Sequence, residues 1–228
     1  MELTPVQMEK YQSRAKELVN FLMKNEFSSV LAGVEDIEQW EDDNCGAIAQ
    51  TNWKVAYGAT RAVFYTLDDL SVVYKIQYIT NIDRVDTIEF NKNEQKIYEK
   101  AVAEGVKDYF TWIHKIYNFT YNMSGSEKSV DVYVAQMCDA DFDTIDKMSY
   151  DYAVDYYNKY QPAYNINDFI DGTSSHDKMM IYLKYYTSYG SDLVAFIKQH
   201  RLNDLGAQNW GYANNHLVCL DYGGYPCR

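Results

Sequence analysis

The stretch that decides the fold is Asn203-Asp204-Leu205-Gly206-Ala207-Gln208-Asn209, followed by Leu217-Val218-Cys219-Leu220-Asp221-Tyr222-Gly223. Asp204 and Asn209 stand on a segment of loop character, after a predicted helix that ends near His200. The apolar run Leu217–Leu220 reads as a short strand. It anchors Asp221, and Gly223 frees the backbone after it. The spacing thus gathers a carboxylate, an amide oxygen and a second carboxylate in one small volume. Taken singly, Asp204 also reads as a helix-exit residue and Asn209-Trp210-Gly211 as a turn. Their order, their short separation and the strand between Asn209 and Asp221 make the set more specific than any member.

Such a set suits phosphoryl transfer, which asks for a cation on the phosphates, oxygen ligands for Mg²⁺ and a carboxylate beside the attacking hydroxyl. The upstream sequence supplies matching residues. Val72-Val73-Tyr74-Lys75-Ile76 reads as a strand carrying a lysine, within a predicted strand Ser71–Thr80. A lysine there also suits the open face of a sheet. A helix predicted over Thr87–Gly105 follows, with Ile88, Ile97, Tyr98, Ala101 and Val102 as its apolar stripe. Glu94 lies in it and shares a face with Tyr98; Glu89 and Glu99 are rivals for the same role. Gly58-Ala59-Thr60, between strands predicted at Ala47–Tyr57 and Arg61–Thr66, offers backbone N–H groups and a hydroxyl to a phosphate. An ordinary hairpin turn fits that segment as well.

Around these elements, Thr4-Pro5 reads as the start of a helix that runs to about Asn25. A short helix is predicted over Val34–Glu41. Asp68-Asp69 reads as a turn. Strands are predicted at Phe110–Tyr117 and Val130–Met137, with a polar loop over Asn122–Lys128 between them. Helices are predicted at Ser149–Tyr160, with Ser149 as cap, and at Lys178–Tyr186 and Asp192–His200. Asp139, Asp141 and Asp143 invite a calcium loop, but Thr144 stands at the glycine position and Tyr150 at the final glutamate position. They read as a solvated loop.

The run Asp204 to Asn209 followed by Asp221-Tyr222-Gly223 resembles the protein-kinase pattern D-x-x-x-x-N and D-F-G, with Tyr222 in the place of Phe. Asn203-Asp204-Leu205 and Asn209-Trp210-Gly211-Tyr212 look most like small kinase-like proteins of bacteriophages and their bacterial hosts. The resemblance covers about Gly46 to Gly224. It implies an α+β, two-lobed, protein-kinase-like fold: a helical extension over residues 1–45, a small antiparallel-sheet lobe over 46–138 and a minimal helical lobe over 139–228. It implies Asp204 as the base, Lys75 on the nucleotide phosphates with Glu94 holding it, Gly58, Ala59 and Thr60 over the phosphates, and Asn209 and Asp221 on the metal. It implies backbone groups of Met137, Cys138 and Asp139 beside an adenine, with ATP and Mg²⁺ as cofactors. The sequence departs from the pattern at Leu202-Asn203, where His or Arg precedes the base. It departs again at Gly206, where a cation is common, and after Gly224, where no activation segment or A-P-E follows.

Composition bounds the function. The 228 residues suit one compact unit or a two-lobed one, and a hydrophobic fraction of 47% argues against disorder. A net charge of −12 with no Lys/Arg cluster argues against direct nucleic-acid binding. Cys45, Cys138, Cys219 and Cys227 form no CxxC pair, which leaves reduced thiols as the expectation. The polar N-terminus and the lack of a long apolar run predict no membrane partner and a cytoplasmic protein, in the host cytosol if phage-encoded. Two functions fit best: an ATP-dependent phosphotransferase acting on a hydroxyl-bearing acceptor, or a pseudokinase-type protein that binds or inhibits a protein partner. The acidity alone also suggests a decoy for a nucleic-acid-binding protein.

Overall fold

The computed structural model describes residues 2–78, 89–123, 125–161, 166, 170, 172–188 and 190–223. The chain is a mixed α/β protein that divides into two compact units, residues 1–95 with 112–137 and residues 96–111 with 138–228. No helix among the described residues is long and apolar enough to cross a membrane.

In the first unit, α1 (Pro5–Lys24) starts on a capping box. Thr4 Oγ accepts the Gln7 N–H at 3.3 Å, and Gln7 Oε1 accepts the Thr4 N–H at 3.0 Å. A short α2 (Ser28–Leu31) leads to α3 (Ile37–Ala49). The helix expected over 34–41 is therefore longer and later, and residues 47–49 are helical rather than extended. The cause is a cap and an anchor. Asp36 accepts the Glu38 N–H at 2.9 Å. Trp40, fully buried, donates Nε1 to the Asn25 carbonyl at 2.7 Å and meets Phe27 edge-on at 4.8 Å.

The sheet is antiparallel throughout, in the order β1-β2-β3-β5-β4. Its strands are β1 (Trp53–Tyr57), β2 (Arg61–Thr66), β3 (Asp69–Gln77), β4 (Ile113–Met123) and β5 (Ser126–Gln136). Asp69 opens β3 instead of sitting in the turn. Thr80, Thr87 and Ile88, assigned above to strand and helix, lie outside the described residues. The polar loop expected at 122–128 is a tight hairpin, because the polar ribbon pairs with itself. Gly125 takes φ 81° at its tip, and the Asn118 amide reaches Asp131 Oδ1 at 2.6 Å across the strands.

One sheet face carries Ala62, Phe64, Tyr74, Ile76, Val132 and Val134, all buried. The N-terminal helices cover this face: Phe27 meets Phe64 at 5.8 Å, and the Tyr121 hydroxyl donates to the Leu31 carbonyl at 3.2 Å. The opposite face carries Arg61, Val63, Lys75, Gln77 and Tyr133. It receives the start of α4 (Phe90–Ala103), where the Phe90 N–H donates to Gln77 Oε1 at 2.8 Å.

The second unit is built on α5 (Phe142–Tyr160), α6 (Ser175–Tyr186) and α7 (Gly190–Gln199), with a hairpin of β6 (Trp210–Ala213) and β7 (His216–Cys219). Asp141, not Ser149, caps α5 by accepting the Thr144 N–H at 3.2 Å. Ser149 is buried in mid-helix, where its hydroxyl donates to the Asp146 carbonyl at 2.9 Å. α6 begins at Ser175 because Ser174 Oγ accepts the Asp177 N–H at 3.1 Å. Gly190 is required by close approach: a Cβ there would collide with the Leu183 carbonyl oxygen. The strand expected at 217–220 is β7, shifted by one residue, and β6 is its unforeseen partner.

Candidate functional site

In the first unit the site grows from the second sheet face. Lys75 points from β3 toward α4, and its Nζ lies 2.9 Å from Glu94 Oε2. Glu94 is fully buried. Its other oxygen, Oε1, accepts from Arg61 Nη1 at 2.6 Å. Arg61 in turn reaches Asn91 Oδ1 at 3.4 Å, and the Asn91 amide donates to the Lys75 carbonyl at 3.5 Å. All four residues are under a tenth exposed. Burying these charges costs solvation that only close pairing offsets. The rivals lie elsewhere: Glu89 is exposed and pairs with Lys92 at 2.7 Å, and Glu99 is exposed.

Sequence reasoning missed Arg61 and Asn91. Asn91 lies one helical turn before Glu94, so its place on the same face was readable. Arg61 carried no signal, because a strand-end arginine is ordinarily solvated.

The Gly58-Ala59-Thr60 segment is the hairpin connection between β1 and β2. The Gly58 N–H donates to the Arg61 carbonyl at 3.0 Å, so it serves the hairpin. The Gly58 carbonyl accepts the Tyr78 hydroxyl, and the Thr60 carbonyl accepts the Tyr78 N–H at 3.1 Å. Burial pushes the Tyr78 hydroxyl up to about 12, so it remains a donor at neutral pH. Met137 ends the first unit, with its N–H donating to the Ser71 carbonyl at 3.0 Å. Cys138 opens the second unit with a half-buried thiol.

In the second unit the motif residues form one braced loop. Asn209 lies in a 3-10 turn, Ala207–Asn209, and its Nδ2 donates to the Asp204 carbonyl. That bond orients the amide and leaves Oδ1 as its acceptor atom. The Leu220 N–H donates to the Asn209 carbonyl at 2.9 Å, so Asp221 follows beside Asn209. Asp221 is half-buried and Asp204 is exposed. Tyr222 is buried against Phe110, ring centres 5.0 Å apart, and its hydroxyl donates to the Thr111 carbonyl.

The start of α6 holds this loop, which the sequence did not reveal. The Leu205 N–H donates to His176 Nδ1 at 3.2 Å, and the Ala207 N–H donates to Ser175 Oγ at 3.0 Å. Burial lowers the His176 pKa, with Asp177 and Asp204 opposing, so the ring stays a neutral acceptor.

An amide oxygen and a carboxylate are hard oxygen donors. They fit Mg²⁺, which keeps several waters and takes one or two protein carboxylates together with phosphate oxygens. Among the described residues no group of three or more His, Cys, Asp or Glu side chains could hold a metal by itself. The acids once considered for calcium have other duties: Asp141 caps α5, and Asp139 exchanges backbone bonds with Tyr212 at 2.9 and 2.8 Å. No protein-family profile matches the chain, and no curated protein matches it.

Proposed function

We propose that this chain is an ATP- and Mg²⁺-dependent phosphotransferase with a two-lobed, kinase-like architecture. The observation that carries this reading is the Lys75–Glu94 ion pair. Two residues singled out by sequence order, one on a strand and one on a helix, meet at 2.9 Å in a buried setting. The braced loop holding Asp204 and Asn209 supports it further.

In this reading Lys75 binds nucleotide phosphate, with Glu94 fixing its position. Asn209 Oδ1 and the Asp221 carboxylate would hold Mg²⁺, which would supply positive charge to neutralise the transferring group. Asp204 takes the proton of the acceptor hydroxyl as that oxygen bonds to phosphorus and the bond to the departing ADP breaks.

The test is thermal denaturation of the full chain with saturating ATP and Mg²⁺. The expected result is a rise in melting temperature that Lys75→Met and Asp221→Asn each abolish, while Asp204→Ala keeps the rise and loses ADP formation. A parent protein unmoved by nucleotide and Mg²⁺ overturns the proposal.

Two observations favour a pseudokinase-type binding protein as the second reading. Gly206 stands where a cation is common, and the Gly58 N–H is engaged within its own hairpin. Under that reading Asp204→Ala leaves the biological activity intact.

A further inference from the structure

The second unit contains an open pocket of about 630 Å³ lined by α5, α6 and α7 and by the chain that leaves α7. Its size lies in the range of small-molecule sites. The floor is apolar, with Met180, Ile181, Val194 and Ile197. Tyr156 and Tyr185 form an aromatic wall, their rings 4.7 Å apart and inclined by 37°. The described lining residues include three cations, Lys184, Lys198 and Arg201, and one carboxylate, Asp177. A local excess of cations is unexpected in a chain of net charge −12. The cations act on the wall: the Lys184 ammonium, first, lowers the Tyr185 hydroxyl pKa, with Lys198 adding to the effect.

A second, independent observation concerns Arg201. It ends α7 in a Schellman turn: the Arg201 N–H donates to the Lys198 carbonyl at 3.2 Å, and the Leu202 N–H donates to the Ile197 carbonyl at 3.0 Å. That turn places Arg201 at φ 53°, a left-handed conformation that glycine fills most easily. An arginine held there is backbone strain at a lining position, the kind of outlier that accompanies a functional site. Nothing in the turn itself needs a guanidinium.

We propose that this pocket binds a small organic anion, a phosphate or carboxylate with a flat apolar body, with Arg201 and Lys198 on the anion and the Tyr156–Tyr185 wall on the body. Guanidinium and ammonium groups supply charge-assisted hydrogen bonds. The aromatic wall and the aliphatic floor supply contact area for the body. His176 and Asn203, which border the Asp204 loop, also line this pocket, but the proposal does not rest on the phosphotransferase reading and its test contains no nucleotide.

The full chain is titrated with 1-naphthyl phosphate, 1-naphthoate, 1-naphthol and inorganic phosphate, followed by calorimetry and naphthyl fluorescence. Saturable binding is expected for one or both of the first two, and their ratio tells phosphate from carboxylate. The alcohol and the bare ion should bind at least about tenfold more weakly, the cost of losing one charge-assisted contact or the body. Arg201→Gly relieves the left-handed strain, so its melting temperature should match or exceed the parent's while binding weakens about tenfold. Lys198→Gln should weaken binding in the same direction. The proposal fails if no naphthyl anion binds saturably, if 1-naphthol binds as tightly as the anions, or if both variants keep the parent's affinity.

Discussion

Lys75 Nζ lies 2.9 Å from Oε2 of Glu94, a carboxylate with 0% exposure. The same carboxylate receives Arg61 through its other oxygen. Removing its charge therefore takes an ion-pair partner from two buried cations. Glu94→Gln should cost on the order of 3–5 kcal/mol, the usual penalty for breaking a buried pair. In a chain of this size that lowers the melting temperature by roughly 10 °C. Glu94→Leu combined with Arg61→Met removes both partners, and its loss should fall short of the sum of the two single losses by about 0.5–3 kcal/mol. Strict additivity in the denaturation cycle would show that the two residues do not act as a pair.

The neutral His176 ring makes the Asp204–Asn209 loop sensitive to acid. Its Nδ1 accepts the Leu205 N–H only while unprotonated. Burial holds the folded-state pKa below the ordinary 6.5, so the unfolded chain takes up this proton first as the pH falls. The His176 contribution is therefore complete above about pH 6.5 and is lost as the pH drops through the lower, folded value. His176→Gln keeps an acceptor without a titrating ring and should flatten this part of the profile. Urea midpoints measured from pH 8 to pH 5 provide the check, and identical pH profiles for parent and variant would refute the assignment.

Tyr222 occupies the Phe place of the D-F-G-like run, and its hydroxyl is used. It donates to the buried Thr111 carbonyl while the ring packs on Phe110. Tyr222→Phe keeps the ring and leaves that carbonyl short of a donor, at a cost of about 1–3 kcal/mol. Chemical denaturation should show the loss. A Phe variant as stable as the parent would mean that the hydroxyl contributes nothing.

Much of the fold was legible where local signals agree. Thr4-Pro5 announced α1 through a cap and a proline, and β2 was read with its observed ends. The elements that escaped are those whose bounds depend on distant partners. Residues 47–49 have a strand-like composition, yet α3 continues through them, anchored by Trp40 against Phe27 and Asn25. The stretch from Asn122 to Lys128 looks like a loop by polarity, yet Asn122 pairs with Glu127 and Met123 with Ser126 across a hairpin.

The sequence by itself determined the order and chemistry of Lys75, Glu94, Asp204, Asn209 and Asp221, because residue type and spacing are local properties. It also determined the Thr4 cap of α1 and the strand that carries Lys75. Tertiary structure alone decided which glutamate meets Lys75, because only Glu94 of three is carried into the buried face. It also brought in Arg61 from a neighbouring strand and set Ser175 and His176 beneath the Asp204–Asn209 loop. The physical reason is the same in each case. A buried charge or an orphan N–H must find a partner in space, and that partner can lie anywhere along the chain.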